Sequence, residues 1–323
     1  MSKIALFDPY AGKFTKSMQK WWVGQGHEVK FNRYYNPEYA LWADIVWFDT
    51  ADNNIMSAAN PGSAILDDKA NFSPWDLHDM DLTNKRVIVR PIDIEVWQGH
   101  MEGVKWDVVD EIIFIAPHIR EIINEFNLRD RREDMGVHTI PHSVDLDDWT
   151  FKDRQKGFDI AVVAERWMSK GEDYVLQIAM KLKEIDPRYK IHWLGQRSDY
   201  QWEHAYFDEF IEHYDLPIEI TNICDSVDEF LEGKNYLLHA SHKEAFSAAT
   251  AEAMAKGIKP ILHRFYGADY LWPGMTWSTI DEAVAMITED KYDSLSYRQY
   301  LIDHEYTTPQ MMERIDKIIK GDY

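Results

Sequence analysis

NYLLHASHKEAFSAATAEAMAKG, residues 235–257, opens with an apolar run, Tyr236-Leu237-Leu238, of the length a buried strand of a parallel sheet needs. A polar turn follows, Ser241-His242-Lys243-Glu244. Ser247 then stands as the N-cap of a predicted helix of small residues, Ala248 to Lys256, which Gly257 closes just past its C-terminus. Glu244 in the turn and Glu252 in the helix have seven residues between them. Between them lies a helix N-terminus, whose free N–H groups and positive dipole end suit a diphosphate. Taken alone, two glutamates at this spacing are more often a surface loop and a helix with scattered carboxylates, so the rest of the chain has to decide.

Glu244-Ala245-Phe246 through Glu252-Ala253-Met254-Ala255-x-Gly257 resembles the E-x7-E signature of retaining glycosyltransferases with the GT-B fold, family four. The resemblance implies that Glu244 faces the donor sugar and that Glu252 holds the ribose hydroxyls. Were the stretch wholly helical, the two would stand about 12 Å apart at roughly 1.5 Å per residue, the reach between the two ends of a sugar nucleotide. The chain departs from the pattern at Ala245 and Ser247, where members of that family carry glycine.

At 323 residues the chain is too long for one ordinary domain and suits two, and its 45% apolar share can fill two cores. Lys+Arg of 35 against Asp+Glu of 56 leave a net charge of −21, which argues against a broad nucleic-acid or anionic-membrane surface, though a local basic cleft would survive it. Cys224 is the only cysteine, so no internal disulfide or zinc knuckle is available and a reducing, cytoplasmic setting is expected. No signal peptide opens the chain and no apolar run reaches about 18 residues, so no membrane span is expected.

Lys3-Ile4-Ala5-Leu6-Phe7 reads as a first strand and Phe14 to Val23 as an amphipathic helix ending at Gly24. The loop between them, Asp8 to Lys13, has one central glycine and is not the G-x-G-x-x-G fingerprint. The resemblance makes Gly12 the glycine that approaches the donor phosphates from the opposite domain; an ordinary βα turn is the equal alternative. Ala43 to Phe48, Arg86 to Arg90 and Glu111 to Ile115 read as further strands, and Ala51 to Asp81 as irregular structure on the acceptor side. In open α/β sheets ligands bind beyond the carboxyl ends of strands, which makes Arg90, Asp93, Glu95 and His100 acceptor-side candidates. The family's R-x-H-x-x-E-like stretch is matched here by Arg90 and Glu95, with Ile92 at the histidine position; Asp93 or His100 could serve instead. A structural salt bridge for Arg90 is the other reading. Val137 to Asp145 resembles the "viPNGVD" that closes the family's first domain, with His142 and Ser143 replacing Asn and Gly. Asp145-Leu146-Asp147 has the form of a D-x-D metal motif but reads better as interdomain linker, since a retaining enzyme of this type needs no metal.

Phe158 to Ala164 is the next strand, and Glu165-Arg166-Trp167-Met168-Ser169-Lys170-Gly171 follows it directly. This resembles the family's "GR-x-x-x-KG", whose Arg and Lys clamp the diphosphate; two fixed cations there stabilise the charge of a departing nucleoside diphosphate. Unaided, the spacing is more often an exposed helix start. Thr221 to Asp225 falls where family members line the nucleobase slot, and Tyr266-Gly267-Ala268 matches a "GG" loop with one glycine lost.

The implied fold is α/β, GT-B, with two Rossmann-like domains facing each other across a cleft: an acceptor domain over 1–152, a donor domain over 153–300, and 301–323 crossing back onto the first. The implied function is metal-independent retaining transfer, without a cofactor, of a sugar from a nucleotide sugar to a hydroxyl acceptor. Glu244, Arg166 and Lys170 are the candidate catalytic residues; Glu252, Gly12 and the backbone at Phe246, Ser247 and Ala248 would bind the donor. A glycan or small molecule is the default acceptor, and a hydroxylated DNA base is the minority view at this net charge. A nucleotide-sugar epimerase of the same fold and a catalytically silent binding module stay open.

Overall fold

The computed structural model describes residues 1–10, 12, 15–49, 82, 84–92, 106–126, 128, 131–197 and 201–322. They pack as two units, Met1–Pro141 with Met311–Tyr323, and His142–Gln310.

The first unit is built on six parallel strands: β1 (Lys3–Phe7), β2 (Glu28–Asn32), β3 (Ile45–Phe48), β4 (Arg86–Val89), β5 (Glu111–Phe114) and β6 (Gly136–Thr139), in the order β2-β1-β3-β4-β5-β6. β1, β3, β4 and β5 are almost wholly buried, as near-continuous apolar runs must be when both faces of a parallel sheet are covered. Helix Lys16–Gly24 contributes Met18 and Trp22 to the core, and Trp22 meets Trp47 edge-on at 5.3 Å. The same core takes Met311, Met312, Ile315, Ile318 and Ile319 from the C-terminal helix Thr308–Lys320, one apolar stripe at helical spacing.

The second unit has β7 (Asp159–Val163), β8 (Lys190–Leu194), β9 (Ile218–Thr221), β10 (Tyr236–His239), β11 (Lys259–His263) and β12 (Thr276–Trp277), again all parallel, in the order β12-β11-β10-β7-β8-β9. Helix Glu172–Ile185 seats Val175, Leu176, Ala179 and Leu182 on this sheet. The chain runs outward from β7 through β8 and β9, then returns to the other side of β7 as β10. The carboxyl ends of β7 and β10 therefore flank the topological switch point, where an open α/β sheet leaves its ligand crevice.

The sequence reading divides the chain at 152/153 and 300/301; by packing the divisions fall at 141/142 and 310/311. The reason is local pairing: the Val144 amide donates to the Tyr306 carbonyl (2.9 Å), the Thr308 amide to the Val144 carbonyl (3.1 Å), and the Lys152 amide to the Lys256 carbonyl (3.3 Å). These bonds hold 142–152 to the second unit. Helices Pro37–Trp42, Gln201–Tyr214 and Ser294–Asp303 are additions to the sequence reading. The second is masked in sequence because Trp202, Tyr206 and Tyr214 face solvent and blur its apolar stripe.

Candidate active site

Two loops leave the adjacent carboxyl ends of β7 and β10, and close packing joins them. After β7, the Ala164 amide donates to the Leu194 carbonyl (3.0 Å) and the Arg166 amide to the Gln196 carbonyl (2.8 Å). Gly195 permits this, since a Cβ there would lie 1.8 Å from the Ala164 carbonyl oxygen. The turn Met168–Lys170 ends at Gly171, in the left-handed region at φ 73°. A Cβ on Gly171 would fall 2.1 Å from the Ala240 carbonyl oxygen, so only glycine lets the turn come this close to the end of β10. The His242 amide donates to the Ser169 carbonyl at 3.0 Å and ties the two loops together.

This arrangement brings Lys170 onto Glu244, Nζ to Oε1, at 2.6 Å. The Glu244 side chain is 16% exposed and that of Lys170 29%. A third group reaches the same oxygen: His239 Nε2 lies 3.4 Å from Glu244 Oε1. Burial pushes the Glu244 carboxyl up, but the contact with His239 and the charge of Lys170 outweigh it and hold the group well below the usual carboxylate range.

Arg166 is only 1% exposed. Its Nη2 donates to Asn222 Oδ1 at 3.0 Å, at the carboxyl end of β9, and its guanidinium lies over the Phe207 ring at 5.9 Å. Its Nε is buried without an acceptor among the described residues. Burial, with Arg197 nearby, pulls the guanidinium below its ordinary value. Lys170 and Glu244 are thus brought into direct contact, while Arg166 is paired with Asn222.

Helix Ala248–Ala255 begins at Ser247, which sits at φ 69°, ψ 74°. The expected side-chain cap does not form: the Ser247 hydroxyl instead shares a 2.7 Å hydrogen bond with the Thr250 hydroxyl. This left-handed corner is a backbone position that favours glycine. None of the amides of Phe246, Ser247 and Ala248 is taken up by an acceptor among the described residues, so the first turn presents free donors. The Phe246 carbonyl accepts from the Trp272 indole at 3.0 Å, and its ring packs against Trp272, Tyr306 and His142. Phe246 is therefore an anchor for the corner. Glu252 is half-buried on this helix, and Lys256 at its end is fully buried against Asp228 and Glu232.

In the first unit, Gly12 follows β1 at φ 84° and its carbonyl accepts from the Thr15 and Lys16 amides at 3.2 and 3.0 Å, so it forms the turn into the first helix. Arg90, at the carboxyl end of β4, forks onto Asp49 with Nε–Oδ1 2.7 Å and Nη2–Oδ2 2.9 Å. Arg90 and Asp49 are 1% and 0% exposed. The buried salt bridge is what the structure gives Arg90. Burial pushes the Asp49 carboxyl up to about 6 against the pull of Arg90. Asp93, Glu95 and His100 lie outside the described residues. Asp145 caps its own short turn, its Oδ1 accepting from the Asp147 amide at 3.2 Å.

The sequence reading passed over His239. Its signal is a histidine closing an otherwise apolar strand, five positions before the glutamate.

No protein-family model matches the chain, and no curated protein matches it by sequence. Solved structures do match in fold. HepE of Anabaena, in complex with UDP, superposes with a TM-score of 0.73 at 11% identity over 99% of this chain and 100% of its own. A glycosyltransferase of Rickettsia africae gives 0.67 at 13% identity over 98% of this chain and 97% of its own. A mutant TarM of S. aureus, in complex with Fondaparinux, alpha-GlcNAc-glycerol and UDP, gives 0.62 at 15% identity over 83% of this chain; the chain spans 54% of TarM. The chain has the two-domain α/β architecture of GT-B glycosyltransferase structures.

Proposed function

We propose that this protein is a retaining glycosyltransferase that moves a sugar from a nucleoside-diphosphate sugar to a hydroxyl acceptor. The observation that carries the reading is the Lys170–Glu244 pair at the switch point of the second sheet, beside a helix start with free amides. In this reading the amides at Phe246 to Ala248 cradle the diphosphate, and Glu252 takes the ribose hydroxyls. Arg166, whose Nε has no acceptor among the described residues, and Lys170 meet the charge that grows on the diphosphate as the glycosidic bond breaks. Glu244 stays ionised and accepts hydrogen bonds from the sugar. That the HepE and TarM structures contain UDP supports a uridine nucleotide as the first donor to try.

The acceptor is a glycan or small hydroxylated molecule, and the charge of −21 weighs against DNA. With cationic side chains at the diphosphate, turnover needs no divalent ion. Cys224, the only cysteine, fits a cytoplasmic setting. No described helix is long and apolar enough to cross a membrane.

A thermal-shift panel of nucleotides and nucleotide sugars tests the donor, followed by turnover with and without acceptors, each in excess chelator. Stabilisation by one nucleoside diphosphate and acceptor-dependent release of it are expected. Donor conversion without acceptor would point to an epimerase. Binding without any turnover would leave a sugar-nucleotide-binding module.

A further inference from the structure

Glu244 is held from two sides by donors of different character. Lys170 reaches Oε1 on a flexible four-carbon stem and is 29% exposed. His239 reaches the same oxygen from the end of β10, its side chain 6% exposed and its ring packed against Phe265 at 5.9 Å between centroids. Backbone pairing fixes this strand on both sides, Tyr236 and Leu237 with β7 and Tyr236 to His239 with β11. A ring in such a place has no room to swing, so its N–H direction is set by the sheet. His239 Nδ1 is buried without a partner among the described residues. Nε2 is the ring atom that meets the carboxylate, 3.4 Å from Oε1, and an N–H there would donate to it.

We propose that His239 is a positioning residue for Glu244: seated in the sheet beneath it, the imidazole fixes the direction of the carboxylate that meets the donor sugar. The proposal rests on the glycosyl-transfer reading above. It differs from a charge role, because Lys170 already supplies the neighbouring charge. The other ionisable groups gathered around the pair are His242 in the same turn, His263 on β11 and Asp173 at the head of helix Glu172–Ile185. His263 Nδ1 is engaged with the Ser241 carbonyl at 3.0 Å.

The test compares His239→Leu, which removes the donor, with His239→Gln, which keeps an N–H. For a positioning residue, His239→Leu lowers kcat by about 10- to 100-fold with little change in donor KM, the size expected when a reacting group drifts by about 1 Å. His239→Gln recovers a large part of that loss. In parallel, protein labelled with 13C at glutamate carboxyls is compared at neutral pH, Glu244 being assigned by its absence in Glu244→Gln. Its resonance is expected sharp in the wild type and His239→Gln, and shifted or broadened in His239→Leu. Equal kcat in the Leu and Gln variants, or a Glu244 resonance unmoved in His239→Leu, overturns the proposal. If no nucleotide sugar turns over even in the wild type, the functional reading fails, and the resonance alone decides whether His239 orients Glu244. Should His239→Leu not fold, His239→Met is read against His239→Gln in the same way.

Discussion

Lys170 and Glu244 stand 74 residues apart in the chain and 2.6 Å apart in the fold. Neighbouring parallel strands, β7 and β10, end side by side at the switch point, and the glycine at 171 lets their loops touch. In the proposed reading, a cation for the diphosphate and a carboxylate for the sugar are thereby locked to each other.

Removing one partner should hurt more than removing both charges. Lys170→Ala takes the cation from a carboxylate that is 16% exposed, a loss of about 1–3 kcal/mol in denaturant unfolding. Adding Glu244→Gln should return part of that stability, because the buried charge that lost its cation is gone. Turnover should fall by about 10²-fold or more in Lys170→Ala and in Arg166→Ala, with a smaller loss of donor affinity. Strictly additive stabilities for the pair, or near-wild-type kcat in both cation variants, would remove the clamp.

The pair should leave a signature in stability against pH. Glu244 is held below its ordinary value of 4.5, so its contribution is complete above that value and is lost as pH falls toward the folded value. The stability gap between wild type and Glu244→Gln should be flat at neutral pH and narrow below 4.5. Asp49 has the opposite sign. Lifted from 3.8 to about 6, its contribution is complete below 3.8 and is lost as pH rises to about 6. Denaturant unfolding across this range checks both, and a gap that widens on acidification would contradict the Glu244 assignment.

Arg90 and Asp49 form a fully enclosed ion pair, and breaking it on one side strands a buried charge. Arg90→Ala should cost about 3–5 kcal/mol. The double variant Arg90→Ala, Asp49→Ala should lose clearly less than the sum of the two singles. Additive losses would mean that the two side chains do not depend on each other.

The corner at Ser247 offers a test of backbone strain. A left-handed non-glycine residue costs about 1–2 kcal/mol, and the hydroxyl bond to Thr250 returns about 0.5–1.5 kcal/mol. Ser247→Gly trades one for the other and should stay within about 1 kcal/mol of wild type. Ser247→Val, β-branched at positive φ, should be the less stable by about 2 kcal/mol or more. Equal stability of the Gly and Val variants would contradict the left-handed corner.

The sequence alone determined what neighbouring residues control. Buried runs such as Ile45–Phe48 and Tyr236–His239, the small-residue helix Ala248–Ala255 and the loops after β7 and β10 are written in local periodicity and turn chemistry, and these two strands emerged within two residues of their expected ends. The residues of the candidate donor site were legible for the same reason, because each lies at a fixed offset from a strand end. What only the tertiary structure decided involves partners distant in the chain. Arg90 found Asp49, Arg166 found Asn222, and His239 came to lie under Glu244 beside Lys170. Residues 142–152 joined the second unit because Val144 pairs with Tyr306 and Thr308, and Ser247 took a left-handed backbone that its identity does not announce. Pairings of this kind depend on which strands become neighbours, and that is fixed when the sheet closes on both sides of β7, not by any spacing along the chain.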